Sequence, residues 1–230
     1  MKTLLTILPL LFIGAYVSSK SSDSSQSETT SAQFNYLALG DSYTIGESVD
    51  EHERYPNQLA EALSDNYGST FKTEIIAQTG WTTGDLKNAI REAKLGNRKF
   101  DLVSLLIGVN NEFQQRSEEE YITEFKELLV QAIAFADGRS NRVVVISIPD
   151  YGYTPFGAGR QSSISTRIDR FNKINKQIAE SMDVKYVSIT EISRQGLSNS
   201  DLVAVDGLHP SGTMYKKWVD LLVAELKETF

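Results

Sequence analysis

The chain has 230 residues, 40% hydrophobic and 23% charged, which is ordinary for a globular protein and enough for one sizeable core. A net charge of −7, with no Lys/Arg cluster to override it, argues against nucleic acid as a partner. The sequence contains no cysteine, so disulfides, thiolate metal sites and a cysteine nucleophile are excluded.

At the N-terminus, Met1-Lys2 precede TLLTILPLLFIGAYVSS. Its apolar core of about 14 residues is shorter than the roughly 20 that a membrane span needs. A positive start, a short apolar core and small residues after it predict an export signal over residues 1–19. We therefore expect a periplasmic or extracellular protein, with an uncleaved anchor as the alternative. LFIGAY also looks like a bacterial lipoprotein cleavage box, but Tyr16 stands where lipidation needs cysteine. Residues 20–32 are Ser/Thr-rich and polar, which predicts a flexible tether, and residues 33–230 form the folded domain.

Beyond the tether, strands are predicted at 34–39, 74–77, 102–107, 142–148 and 185–189. LVSLLI and RVVVISI are nearly continuous apolar runs, as strands buried on both faces should be. Helical patterns occupy 55–65, 83–95, 117–136, 163–182 and 211–228, with Thr83, Ser117 and Ser211 as candidate caps. This alternation predicts an α/β domain built on a doubly wound parallel sheet of about five strands. No internal repeat is visible.

In open α/β sheets, ligands bind outside the carboxyl ends of the strands. Gly40-Asp41-Ser42 follow the first strand, QTGWTTG with Gly80 the second, and GVNNEF with Gly108 and Asn110 the third. PDYGYTPFGAG follows the fourth, and VDGLHPS, with Asp206 and His209, precedes the last helix. A serine is a weak nucleophile unless a base takes its proton, and histidine is the usual base. The chain has two histidines. His52 sits in the charged segment VDEHERYP. His209 follows Asp206 by three positions, close enough for a turn to bring the carboxylate onto the imidazole. An Asx turn capping the last helix would use the same residues. Gly80 and Ser42 can offer backbone N–H groups to an oxyanion and Asn110 a side-chain amide; taken singly, Gly80 reads first as a turn glycine and Asn110 as a loop-stabilising amide.

Gly40-Asp41-Ser42, Gly80, Gly108-x-Asn110 and Asp206-x-x-His209 together resemble the GDSL-type esterases and lipases of the SGNH hydrolase superfamily. The resemblance covers about residues 34–228, with all four motifs in order. It implies a three-layer flavodoxin-like fold, Ser42 as nucleophile, His209 as base and Asp206 as its orienter. It further implies an oxyanion hole of Ser42, Gly80 and Asn110. The sequence departs from the family pattern at Tyr43, where leucine is usual, and at Asn111, where aspartate is often found. LLIGVNNEFQ and SIPDYGYTPF look like a bacterial lysophospholipase-like branch.

The implied activity is hydrolysis of carboxylic esters, lipid acyl or acetyl, with no cofactor and no metal. A non-catalytic binding module on the same fold is the alternative. Trp81, Tyr151, Tyr153 and Phe156 lie in loops beside the site and are candidate substrate contacts. The expected partner is a small-molecule, lipid or acylated-carbohydrate ester, met in solution or at a membrane surface, with no obligate protein partner evident. A metal phosphoesterase is disfavoured, because such sites need several histidines and carboxylates together. A G-x-S-x-G elbow is absent, because Thr44 stands where its second glycine belongs.

Overall fold

A computed structural model describes Met1 and residues 32–230. The expected export signal beyond Met1, and all of the expected tether except Ala32, lie outside the described residues. Five strands form one sheet: β1 (Gln33–Gly40), β2 (Thr70–Ala77), β3 (Leu102–Leu106), β4 (Val143–Ile146) and β5 (Lys185–Val187). Their order is β2-β1-β3-β4-β5 and every pairing is parallel. All of β3 and β4 is buried, as continuous apolar runs require.

Among the described residues, eight α-helices surround the sheet: α1 (Ser42–Ile45), α2 (Tyr55–Tyr67), α3 (Thr83–Glu92), α4 (Val109–Phe113), α5 (Glu118–Phe135), α6 (Gln161–Ser181), α7 (Thr190–Ser193) and α8 (Gly212–Leu226). From β1 the chain steps outward through α2 to β2, then returns across β1 through α3 to β3. Right-handed crossovers in opposite directions place α2 and α3 on opposite faces. The long helices then pack in two layers, α2 with α8, and α3 with α5 and α5 with α6. The α2–α8 seam is aromatic: Trp218 is fully buried, with Tyr215 edge-on at 5.0 Å and Tyr55 at 6.3 Å.

Several boundaries differ from the sequence reading. Strand β2 begins at Thr70, before the apolar run, because pairing of Gln33 with Thr70 extends the ladder along a half-exposed edge. Arg142 closes a 3₁₀ turn, Ser140–Arg142, so β4 starts one residue later. The cap of α3 is Thr82 rather than Thr83: its side chain accepts from Asp85 N while the Asp85 side chain accepts from Thr82 N. Ser117 and Ser211 cap α5 and α8.

Candidate active site

Strand order reverses between β1 and β3, and a crevice opens there, past their carboxyl ends. The turn after β1 has no room for a side chain at its first residue. A Cβ on Gly40 would lie 2.1 Å from Thr44 Oγ1 and 2.4 Å from the Leu106 carbonyl, so glycine lets the turn close onto β3. Asp41 caps α1, its Oδ1 accepting from Tyr43 N at 3.0 Å, while Oδ2 has no hydrogen-bond partner among the described residues. Complete burial pushes the Asp41 carboxyl up to about 7, against the nearby amides of Tyr43, Asp41 and Gly108. Ser42 is the first residue of α1, so its N–H has no intrahelical partner.

At the other end of the chain, residues 203–210 fold back on themselves through a Val203–Pro210 bridge, with Ala204 N donating to the His209 carbonyl at 2.8 Å. The turn brings Asp206 Oδ2 to 2.6 Å from His209 Nδ1, while Oδ1 accepts from the amides of Leu208 (2.9 Å) and His209 (3.0 Å). One carboxylate therefore builds the turn and grips the ring. Ser48 adds a fourth donor, its Oγ lying 2.7 Å from Asp206 Oδ2. Partial burial pushes the Asp206 carboxyl up, but bonds from the His209 ring, both amides and Ser48 outweigh it and hold it at about 2. Tyr43 packs edge-on against the imidazole, ring centres 5.5 Å apart, and its carbonyl accepts from Tyr215 OH at 3.0 Å. Tyr43, one of the two departures from the family pattern, thus forms a wall for the histidine.

Between these two loops lie the remaining motifs. Gly80 adopts φ +87 in an exposed turn, and its N–H makes no hydrogen bond among the described residues. Asn110, in α4, donates from Nδ2 to the Trp81 carbonyl at 2.9 Å, which ties the two loops together and leaves a second amide hydrogen. Its neighbour Asn111 points elsewhere. Buried completely, Asn111 accepts from Thr83 N (2.9 Å) and donates to Thr83 Oγ1 (2.7 Å), clamping the start of α3 to α4.

Ser42, Gly80, Asn110 and His209 line one cavity of about 150 Å³, walled by Tyr43, Val109, Phe113, Tyr151, Phe156 and Leu208. Of the loop aromatics, Tyr151 and Phe156 face this space, whereas Trp81 and Tyr153 do not line it. Trp81 packs partly buried against the core and offers the site only its carbonyl. His52 lies in a separate groove with Lys216 and Lys217. No hydrogen bond joins Ser42 Oγ to His209 among the described residues; in unliganded sites such contacts are often long and tighten around substrate.

Residues that sequence reasoning did not single out complete the surroundings. Ser48 is one, held at φ +64, a left-handed conformation uncommon outside glycine. Glu112 is another: its side chain is fully buried, accepting from Tyr151 OH at 2.9 Å and paired with Arg167 Nε. Asp150, also buried, accepts from Gly152 N, Ser165 Oγ and Arg194 Nε, and so fixes the loop that carries Tyr151. A lone glutamate in NNEF and an aspartate in PDYG carry no spacing signal that could have found them.

A serine on a helix start, an imidazole gripped by a carboxylate and unpaired N–H groups around one apolar cavity are the parts that serine-dependent acyl hydrolases use. The sheet order and the position of the crevice agree with that class. The chain belongs to the GDSL-like lipase/acylhydrolase family, whose model it matches over residues 38–217. No curated protein matches it in sequence.

Solved structures share the fold. A variant of an acetyl xylan esterase from Geobacillus stearothermophilus superposes with a TM-score of 0.67 at 20% identity, over 85% of this chain and 95% of that one. An alpha/beta hydrolase enzyme from the metagenome of Lake Arreo, Spain, gives 0.68 at 18% identity, over 87% and 98%. A psychrotrophic esterase from Pseudoalteromonas sp. gives 0.62 at 19%, over 85% and 97%. At these identities the likeness is one of fold.

Proposed function

We propose that the protein is a serine esterase that cleaves carboxylic esters through an acyl-enzyme on Ser42. His209 Nε2 takes the Ser42 proton as Oγ attacks the ester carbonyl. Asp206 holds Nδ1–H and stabilises the imidazolium that forms. The N–H groups of Ser42 and Gly80 and the Asn110 amide receive the charge that develops on the carbonyl oxygen. Protonated His209 then gives its proton to the departing alcohol. Water, deprotonated by the same ring, releases the acid and restores the serine. Water is the only co-reactant. The observation that carries the reading is the 2.6 Å Asp206–His209 contact on the same cavity as Ser42, Gly80 and Asn110.

The cavity supports a short acyl group. A space of about 150 Å³ matches the roughly 150 Å³ that holds benzene in an apolar core, about six heavy atoms. Acetyl to butyryl esters suit it, and the fold likeness to an acetyl xylan esterase favours the same end of the range. Longer acyl chains, as in the lysophospholipase-like branch that LLIGVNNEFQ and SIPDYGYTPF resemble, would have to lie over exposed Phe113 and Phe156. We propose export as well, on the strength of the positive, apolar and small-residue order of residues 1–19, with 20–32 as tether and 33–230 as the hydrolase domain.

The test is a rate profile on nitrophenyl esters from acetyl to palmitoyl, with acetylated xylan alongside and Ser42→Ala as control. Short esters should be preferred. The variant should lose about three to six orders of magnitude while remaining folded, and a fluorophosphonate should label the wild type only. Near-normal turnover by folded Ser42→Ala would refute the mechanism.

A further inference from the structure

Phe113 and Tyr151 have two sides. One faces the Ser42 cavity, and the other faces a second hollow of about 620 Å³. The two spaces share this aromatic ridge, whose rings meet edge to face at 6.1 Å. The character of the second space is opposite to the first. Arg116, Arg160, Arg167 and Arg170 surround it, against Glu112 and Glu118, on a chain whose net charge is −7.

The arginines are not all consumed by their carboxylates. Arg167 pairs with buried Glu112 through Nε, and its two Nη atoms make no hydrogen bond among the described residues. Arg170 pairs with Glu118 at 2.6 Å in solvent, where an ion pair contributes little and is easily exchanged. Arg116 reaches Glu120 only at 3.9 Å. Exposed Arg160 is in no ion pair among the described residues. Instead it donates to the Phe156 carbonyl at 2.9 Å and stacks over the Phe156 ring at 5.4 Å. Phe156 lines the Ser42 cavity, so Arg160 is fixed to the wall between the two spaces. All four cations are guanidiniums, whose planar forks match the paired oxygens of phosphate and carboxylate.

We propose that this arginine-lined hollow is a subsite for an anionic group, phosphate or carboxylate, carried by the substrate across the Phe113–Tyr151 ridge from the scissile ester. A substrate of this kind places a short acyl group in the apolar cavity and a negatively charged alcohol portion among the guanidiniums. Its role as a substrate subsite rests on the esterase reading; anion binding itself does not.

Two measurements separate the claims. Calorimetric titration of glycerol 3-phosphate and of glucuronate should show binding to the full chain that weakens with salt. In Arg160→Gln/Arg170→Gln, two exposed positions, affinity should fall about tenfold or more, the loss of one charge-assisted contact. In kinetics, butyryl-glycerol 3-phosphate is compared with monobutyrin, and butyrylated glucuronate with butyrylated glucose. Wild type should prefer the anionic member of at least one pair by about tenfold in kcat/KM, and the ratio should collapse toward one in the variant. The pair with the larger ratio identifies the anion. No binding of either anion, or equal affinity in the variant, overturns the anion site. Binding without any preference between paired esters overturns its assignment to the substrate. If no ester turns over and Ser42 resists the fluorophosphonate, the esterase reading fails, and the titration alone still decides whether the anion site exists.

Discussion

Asn110 and Asn111 are adjacent, chemically identical and, by their surroundings, different in what their loss should do. Truncating Asn111 to alanine removes both of its bonds to Thr83. The Thr83 N–H, in the first turn of α3, is then buried without an acceptor, costing about 1–3 kcal/mol, and the lost bond to Thr83 Oγ1 adds about 1 kcal/mol. The total of about 2–4 kcal/mol exceeds the roughly 1 kcal/mol typical of a point substitution. For a chain of this size, that is a fall in Tm of about 4–16 °C. Asn110→Ala loses one bond to a half-buried carbonyl, so its Tm should move far less. Its kcat should instead fall about 10²–10³-fold at similar KM, the usual effect of removing an oxyanion donor. Thermal unfolding and steady-state kinetics on nitrophenyl butyrate, run on both variants, read the two effects separately. If Asn111→Ala lowers kcat a hundredfold with an unchanged Tm while Asn110→Ala is silent, the assignment of this loop is wrong by one residue.

Three further outcomes are expected. Ser48→Gly, which keeps the left-handed backbone but removes a donor from Asp206, should lower kcat by about three- to tenfold, a share of one charge-assisted bond; unchanged kcat would show that Ser48 does not position the carboxylate. Asp41, raised to about 7 by burial, binds more protons folded than unfolded, so its contribution falls as pH rises from about 4, its unfolded value, to 7 and is flat above. Asp41→Asn should therefore remove part of any decline in Tm across that window, and an identical profile in the variant would refute it. Asp206, depressed to about 2, has the opposite sign: its contribution is present above about 4 and lost as pH falls toward 2, so Asp206→Asn should flatten the acid limb of the Tm profile.

The interior strands were legible because LVSLLI and RVVVISI are short, nearly continuous apolar runs rich in β-branched residues, as strands covered on both faces are. Half of β2 was not, because TFKT offers a single large apolar side chain, Phe71, and its place is fixed by pairing with β1 and by Phe71 packing against Phe34 and Phe230. Short helices such as α4 and α7 are too brief to show a period. Ser42, Gly80, Asn110 and His209 could be brought to one edge from the sequence because topology dictates where each loop must emerge. Side-chain direction within those loops could not. Trp81 turns to the core and Phe156 to the cavity, and nothing periodic in a loop distinguishes them. The same gap hid Ser48, which meets Asp206 across 158 positions of sequence.

The Ser42 and His209 loops come from opposite ends of the domain, one leaving the first strand and the other preceding the last helix. A polypeptide emerging from the ribosome carries its serine through nearly all of synthesis without the imidazole. On the proposed mechanism, even a full-length chain is inert until the turn that joins Asp206 to His209, just before α8, packs beside Tyr43. If the proposed export holds, a chain threaded unfolded through a membrane has no assembled Ser42–His209–Asp206 site until it folds on the far side. On the same reading, ester hydrolysis followed during refolding would time the docking of the Asp206–His209 turn rather than the formation of the sheet.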